Sequence, residues 1–171
     1  MNLQYQHLIP EDFSNESKVY IYQCSRLLTV SEALQLENLM GNFINNWESH
    51  NEKIKAYANL LFGQFVVVIA DDKDTSICGR SIDALNRFMK EMEQIFSVQL
   101  LDRQSLAFVI KDKIQLLPLS QLKYGIDNNF IEPGTLYFNN AIIDKEALLN
   151  NWIIPAKNSW LKAKFQTLEK A

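Results

Sequence analysis

The residues best suited to chemistry lie in one short stretch, Cys78–Ser81 (CGRS), which follows the apolar run Phe65–Ala70. A thiol or a hydroxyl at the start of a helix can act as a nucleophile, and an arginine there can bind an anion. One interpretation is therefore a small enzyme that performs acyl or phosphoryl chemistry at this loop. The interpretation without chemistry is a helix that begins near Ser81, with the serine hydroxyl as its N-cap.

The loop lacks two residues of a nucleotide-hydrolysing P-loop. That motif, G-x-x-x-x-G-K-[ST], needs a first glycine for the phosphate cradle and a lysine for the outer phosphates. The corresponding positions here are Asp74 and Arg80. A carboxylate thus replaces the glycine and a bulkier cation replaces the lysine, so the sequence argues against ATPase activity.

The order of the predicted elements favours a ferredoxin-like sandwich of the α+β class. Strand-like runs and amphipathic helices follow one another as β-α-β-β-α-β from about Val19 to Lys111. Thr29 and Glu32 predict a capping box before the first helix, and Gly63 predicts the turn of a hairpin. This order is typical of one sheet with two helices on one of its faces.

The length of 171 residues fits a single domain. We predict an irregular N-terminal arm (residues 1–17), a βαββαβ core (18–111) and a C-terminal β/α extension (112–171). The extension would lengthen the sheet or cover its open face.

In this fold we expect the first and third strands to be adjacent and parallel, so that their carboxyl ends meet. The first strand leads to Cys24-Ser25-Arg26 and the third leads to the Cys78–Ser81 loop. Both then enter helix N-termini, which attract anions. This edge predicts a site for a small anion or for a carboxylate of a partner, formed by Ser25, Arg26, Cys78, Arg80 and Ser81.

Histidines and metals are expected to play no part in this site. His7 lies in the arm, and we expect His50, after the first helix, at the opposite end of the sandwich from Cys78. A Cys–His pair is therefore disfavoured, although a cysteine nucleophile commonly needs a base. Two histidines and two cysteines without C-x-x-C or H-x-x-x-H spacing predict no metal, and we expect no other cofactor.

The overall composition favours a cytoplasmic protein. The formal charge is −3, so a nucleic-acid backbone gains no general attraction. Two cysteines in 171 residues are typical of a reducing compartment. The N-terminus lacks the order of a signal peptide, and the longest apolar run is too short to span a membrane. A non-catalytic binding or interaction module is our first interpretation of the function.

An RNA-binding module is the third interpretation. The run VYIYQC, with Tyr20 as a stacking aromatic, resembles the first-strand motif of RNA-recognition domains. The run LFGQFVVV resembles their third-strand motif, but Gln64 interrupts it and no basic residue leads it. Exposure of Tyr20 and Phe65 on an open sheet face would support this interpretation.

The C-terminal region offers a candidate surface for a homodimer. Trp152 and Trp160 flank Pro155, and a stripe of Leu161, Phe165 and Leu168 follows at helical spacing. We expect the stripe to pack within the chain, while a dimer contact through Trp152 and Trp160 is the alternative, because tryptophans are common interface anchors.

Several segments together resemble one family: VYIYQCSRLLT, GRSIDALNRFMKEME, VQLLDR, LYFNN and NNWIIPAKNSWL. It is a family of short uncharacterised proteins from Bacteroidetes, some of which carry the label "ABC transporter ATPase". The resemblance extends from about Ser17 to Trp160. Its members have a cysteine at the position of Arg80, and this departure argues against cysteine chemistry at that position. The sequence contains no P-loop that would support this label.

Overall fold

The computed structural model describes residues 1–73 and 75–166, and for Gln166 only the backbone. This part of the chain forms two compact units. The N-terminal unit comprises residues 3–102 and 141–149. The C-terminal unit comprises residues 1–2, 103–140 and the chain from Asn150 onward. Helices combine with small antiparallel sheets, which confirms the α+β class; the prediction of a single domain stays a prediction.

The N-terminal unit is built on a three-stranded antiparallel sheet. In space its strands follow the order β1-β5-β4, and a separate two-stranded hairpin consists of β2 and β3. The strands are β1 (Lys18–Gln23), β2 (Glu48–Ser49), β3 (Glu52–Lys53), β4 (Lys55–Leu61) and β5 (Phe65–Asp71). β4 and β5 form the hairpin that the sequence predicts, and both Phe62 and Gly63 have positive φ at its turn.

Two long helices, α1 (Val30–Asn45) and α2 (Gly79–Phe96), pack on one face of this sheet. α1 begins at the predicted capping box: the Thr29 hydroxyl accepts a bond from the Glu32 N–H at 3.3 Å, and the Glu32 carboxylate accepts one from the Thr29 N–H at 2.8 Å. The apolar stripes predicted for both helices face the core, except at Ile95 of α2, which is 51% exposed. The buried residues of this core include Leu36, Met40, Leu85, Met89, Met92, Val66 and Val68.

The ferredoxin-like core is not confirmed, and two features that we expected of it are wrong. β1 lies beside β5, but the two strands are antiparallel, with Lys18 opposite Ala70 and Gln23 opposite Phe65. The strand expected to complete the sheet, β6 (Ser105–Ile110), belongs to the sheet of the C-terminal unit. The carboxyl end of β1 therefore lies beside the start of β5, away from the loop that follows β5.

The N-terminal arm, predicted to be irregular, is part of the core of the N-terminal unit. Tyr5, Ile9 and Phe13 are all buried. The arm contacts the face of the sheet opposite the helices, where the Tyr57 hydroxyl donates to the Leu8 carbonyl at 2.6 Å and the Lys55 ammonium lies 4.5 Å from the centre of the Phe13 ring. The arm thus supplies apolar cover for a sheet face that the helices leave open.

A buried lysine fixes this arm. Lys145 is 5% exposed, and its ammonium donates to the carbonyls of Pro10 and Phe13 at 2.7 Å and of Glu11 at 3.3 Å. Three carbonyl acceptors replace the water that burial removes from the cation. Lys145 begins the helix α4 (Lys145–Asn151), so this late segment of the chain holds the beginning of the chain in place.

The sheet of the N-terminal unit has no open aromatic face for RNA. Tyr20 lies opposite Val68 and Phe65 lies opposite Gln23, so the two aromatic side chains point to opposite faces. Phe65 is fully buried, and Tyr20 packs half-buried against the core beneath the helices. The condition that would have supported RNA binding is not met.

The C-terminal unit contains a second antiparallel sheet in the order β7-β6-β8-β9. Its remaining elements are β7 (Lys113–Pro118), α3 (Leu122–Asp127), β8 (Leu136–Phe138), β9 (Ile153–Pro155) and α5 (Lys162–Gln166). β6 and β7 form a hairpin. Gly125 lies inside α3, and Pro155 is the last residue of β9.

The two tryptophans of this unit have different surroundings. Trp152 is fully buried, and its indole N–H donates to the Asn140 side chain at 2.9 Å. It therefore cannot anchor a dimer. Trp160 is 46% exposed, so the predicted dimer contact could involve this tryptophan alone and stays a prediction. Leu161 and Phe165 pack in the core of the unit, and Leu168 lies outside the described residues.

Candidate functional site

The candidate site is the start of α2, where the structure differs from the sequence prediction. The helix begins at Gly79, and its N-cap residue is Cys78, with extended backbone angles (φ −93°, ψ 166°). Ser81 is therefore not the cap but the third residue of the helix. The Cys78 thiol makes no capping hydrogen bond, and the Cys78 carbonyl accepts bonds from the Ser81 and Ile82 N–H groups at 3.0 and 3.2 Å.

Two serines and the β2 strand surround the thiol. Sγ of Cys78 lies 3.3 Å from Oγ of Ser81, and Ser81 is buried with its hydroxyl donating to the Glu48 carbonyl at 3.0 Å. Ser49 is also buried; its hydroxyl donates to the Ser76 carbonyl at 2.6 Å and accepts from the Cys78 N–H at 3.3 Å. The short strand β2 thus fixes the loop before α2.

Hydrogen bonding lowers the pKa of the Cys78 thiol to about 6. The largest cause is the Ser49 hydroxyl, followed by the Ser81 hydroxyl and the backbone N–H groups of Ser81 and Arg80, while desolvation opposes them. Each hydroxyl has one proton, which points to a backbone carbonyl while the thiol is protonated. When the thiol loses its proton, the hydroxyls can turn toward the sulfur. The lowered pKa favours the thiolate form of Cys78.

Cys24 has the opposite environment. It is fully buried, and desolvation raises the pKa of its thiol to about 12 against the smaller lowering effect of Arg26. Its backbone N–H donates to the Gln64 carbonyl at 2.7 Å. Cys24 is a small apolar core residue and not a nucleophile.

Arg26 is bound within the fold. Its guanidinium contacts both carboxylate oxygens of Glu32 at 2.8 and 2.9 Å and donates to the Phe96 carbonyl at 2.6 Å. This ion pair, with the bonds from Thr29, lowers the pKa of Glu32 to about 2. Arg26 therefore closes the carboxyl end of α2, where a cation is favoured by the helix dipole.

The five residues predicted for one site occupy two places. Arg26 contacts Phe96, which lies 16 positions after Arg80 in α2, so the two arginines are about 24 Å apart along the helix. Ser25 stays with Arg26, and its hydroxyl accepts a bond from the Gln99 N–H at 3.0 Å. Cys78, Arg80 and Ser81 stay together at the other end. The antiparallel pairing of β1 with β5 is the reason for the separation.

The sequence led us to expect His50 at the opposite end of the sandwich from Cys78, and this expectation is wrong. His50 directly follows Ser49, in the turn between β2 and β3, and Ser49 binds the Cys78 loop. Among the described residues, the hydrogen-bond partners of the Cys78 thiol are nevertheless hydroxyl and backbone groups rather than an imidazole. His50 is exposed and has positive φ at the turn.

The described acidic residues near the loop form no cluster that could hold a metal ion. Within residues 1–73 and 75–166, no group of three or more His, Cys, Asp or Glu side chains could hold a metal ion. Asp72 lies 3.8 Å from the Lys18 ammonium, and Asp71 accepts from the Lys73 N–H at 3.1 Å. These carboxylates therefore have partners in the protein.

Sequence reasoning missed the residues that hold the loop. Ser49 and Trp47 lie about 30 positions before Cys78, and the Trp47 indole N–H donates to the Ser81 carbonyl at 2.9 Å. The only signal in the sequence is Trp47 itself, a tryptophan at the end of an amphipathic helix. A tryptophan that only packs in the core would show the same pattern.

The comparisons with known proteins give no relative. No protein-family model, no curated protein and no solved structure matches the chain. The similarity to a Bacteroidetes family therefore stays a prediction.

Proposed function

We propose that this protein acts through Cys78, whose thiolate accepts an acyl group from a small molecule. The observation that carries this proposal is the setting of Sγ, which lies 3.3 Å from the Ser81 hydroxyl at the start of α2. Cys78 is partly exposed, so a small molecule can reach it. The first interpretation from the sequence is a non-catalytic binding module, and the structure separates Ser25 and Arg26 from the other three residues of the anion site predicted for it.

The surroundings of Cys78 meet the main need of a thiol nucleophile. A thiol with a lowered pKa attacks without a neighbouring base, because it has already lost its proton. Its electron pair would form the bond from sulfur to the acyl carbon. The bond from that carbon to the leaving oxygen or sulfur would break, and the leaving group would take a proton from water. N–H groups of the first turn of α2 would stabilise the negative charge on the acyl oxygen.

A second candidate is reversible, non-covalent binding of a small anion at the same loop. One observation favours it: Arg80 is exposed in the first turn of α2, where the helix dipole already attracts negative charge. In this function the protein is a binding or interaction module, as the sequence suggested, and Cys78 is only a contact residue. Arg80 would hold the anion without Arg26.

The wider functional setting stays a proposal. Within the described residues no helix combines the length and apolar character needed to cross a membrane. We propose a cytoplasmic location because a reduced thiol suits a reducing compartment. We propose no nucleotide hydrolysis, no cofactor and no nucleic-acid partner.

The first experiment compares the two cysteines in the same molecule. Full-length protein is alkylated with iodoacetamide from pH 5 to 9, and each cysteine is quantified by mass spectrometry. We expect Cys78 to react with a midpoint near pH 6 and Cys24 to stay unmodified while the protein is folded. A midpoint above about 8, the range of an ordinary thiol, would overturn the proposal.

The second experiment separates acyl transfer from anion binding. The protein is mixed with p-nitrophenyl acetate, and release of nitrophenolate is followed together with the mass of each cysteine-containing peptide. Acyl chemistry predicts an acetyl group on Cys78, with loss of the fast release in Cys78→Ser and not in Cys24→Ser. Anion binding alone predicts no acetyl group, and it predicts protection of Cys78 from alkylation by phosphate in the wild type but not in Arg80→Gln.

A further inference from the structure

The outer edge of β4 lacks a partner strand. β4 is the last strand in the order β1-β5-β4, and in the described part of the chain only β5 pairs with it. Its residues from Ala56 to Leu60 are all partly exposed. An edge strand presents a row of N–H and C=O groups that can pair with another strand.

The free edges of β1 and β7 each have a feature that limits pairing, and β4 has neither of these features. The free side of β1 contacts a neighbouring segment, with a bridge between Lys18 and Asp144 and a bond from the Val19 N–H to the Ile143 carbonyl at 3.0 Å. The edge strand β7 ends with Pro118, which has no N–H to donate to a further strand. β4, KAYANLL, has one charge, at its first residue, and no proline.

We propose that the partner is a second copy of this chain, whose β4 pairs antiparallel with the first across a twofold axis at Ala58. The two three-stranded sheets then form one sheet of six strands. Ala58 is the midpoint of β4 (Lys55–Leu61), so this register pairs all seven residues. It also keeps the helices of both copies on one face, because directly opposite residues share a face of the sheet.

The sequence of β4 complements itself in this register. Lys55 lies opposite Leu61 of the second copy, so the only charge in the strand meets an apolar residue and not another lysine. On the face that packs against the helices, β4 carries the small side chains of Ala56 and Ala58. α1 approaches the edge of the sheet at this place. On the other face Tyr57 lies opposite Asn59, a pairing without charge. A twofold interface needs this kind of self-complementarity.

A groove beside β4 provides room for a side chain of the second copy. A cavity of about 320 Å³ lies between the end of α1 and the start of β4, and is lined by Ile44, Asn45 and residues 53–56. In the proposed register Leu60 of the second copy lies opposite Ala56, at the wall of this groove. Two such contacts, related by the twofold axis, add apolar burial to the main-chain bonds.

The first test measures the mass of the full-length protein by sedimentation equilibrium at micromolar concentrations. We expect a dimer, and we expect Asn59→Lys to raise its dissociation constant at least about fivefold, because lysines on both copies come close across the axis. The control is Gln115→Lys on the edge strand β7, which should leave the constant unchanged. A wild-type protein that stays monomeric over the whole concentration range would overturn the proposal.

The second test fixes the register and does not depend on stability. Ala58→Cys and Ala56→Cys are each made in a Cys78→Ser background and treated with a short thiol crosslinker. Cysteines at 58 meet their own copies directly, within about 5 Å, and should give a covalent dimer. Cysteines at 56 lie about 14 Å apart along the paired strands and should not. A dimer that crosslinks at neither position uses another surface, such as the one around Trp160, and would overturn the proposal.

Discussion

Side chains bind at both ends of α2, but with different chemistry. At the carboxyl end, the Arg26 guanidinium donates to the Phe96 carbonyl and forms an ion pair with the Glu32 carboxylate. At the amino end, the thiol of Cys78 meets hydroxyls whose protons can turn. A closed ion pair holds structure, whereas a titratable thiol among adaptable donors keeps a reactive group available.

The largest expected effect concerns the anchor of the reactive end. Trp47→Phe removes the bond from the indole to the Ser81 carbonyl and leaves unfilled space in the core. We expect the free energy of unfolding to fall by about 2 kcal/mol, measured by urea denaturation. The matched control is Trp160→Phe, a half-exposed tryptophan that also donates a bond through its indole. An equal loss in both variants would remove any special role for Trp47.

The next effect is chemical rather than structural. Removing both hydroxyls with Ser49→Ala and Ser81→Ala should raise the pKa of Cys78 toward the ordinary value of a thiol, since these hydroxyls are the two largest causes of its lowering. We expect alkylation of Cys78 at pH 6.5 to slow at least about tenfold. Ser76→Ala is the control, because Ser76 offers only its carbonyl to this network. No change in rate would mean that backbone N–H groups alone lower the pKa.

A smaller effect is expected at the opposite end of the helix. Thr29→Ala breaks the capping box that holds Glu32, and should reduce the free energy of unfolding by about 1 kcal/mol. Thr29→Ser keeps the cap and should restore most of this stability. Alkylation of Cys78 should not change in either variant. A changed rate would show that the two ends of α2 are coupled, against the contrast drawn above.

The smallest effect is a dependence of stability on acid. The pKa of Glu32 falls from the usual 4.5 to about 2 in the folded protein. Its carboxylate therefore stabilises the fold fully above pH 4.5, and this contribution is lost as the pH falls from 4.5 to about 2. Thermal unfolding of Glu32→Gln should show a shallower pH dependence than the wild type in this window. The difference should shrink in high salt, because both partners are partly exposed.

Local features of the fold could be predicted from the sequence. The capping box at Thr29, the hairpin around Gly63 and the apolar stripe of α2 all depend on residues within a few positions of one another. The sequence also singled out Cys78, because a cysteine before an amphipathic helix is itself a local pattern.

Long-range pairing could not be predicted in the same way. The direction of β1 relative to β5 decides whether Arg26 joins Arg80, and no local pattern encodes it. Likewise, the Ser49 hydroxyl reaches the Cys78 loop from 29 positions away. Burial of the arm is also a long-range effect: Tyr5, Ile9 and Phe13 are all buried, but the residues that bind the arm, Tyr57 and Lys145, lie far along the chain.

The position of Lys145 has a consequence for the order in which the chain is completed during synthesis. The N-terminal unit includes residues 141–149, and Lys145 there binds three carbonyls of the arm, while the Leu148 carbonyl accepts the Tyr5 hydroxyl. A ribosome has therefore made residues 103–140 before the unit that begins at residue 3 can close. A nascent chain that stops at residue 102 lacks Lys145 and Leu148, so its arm would be held only by its contacts with the sheet, such as the bond from Tyr57 to the Leu8 carbonyl.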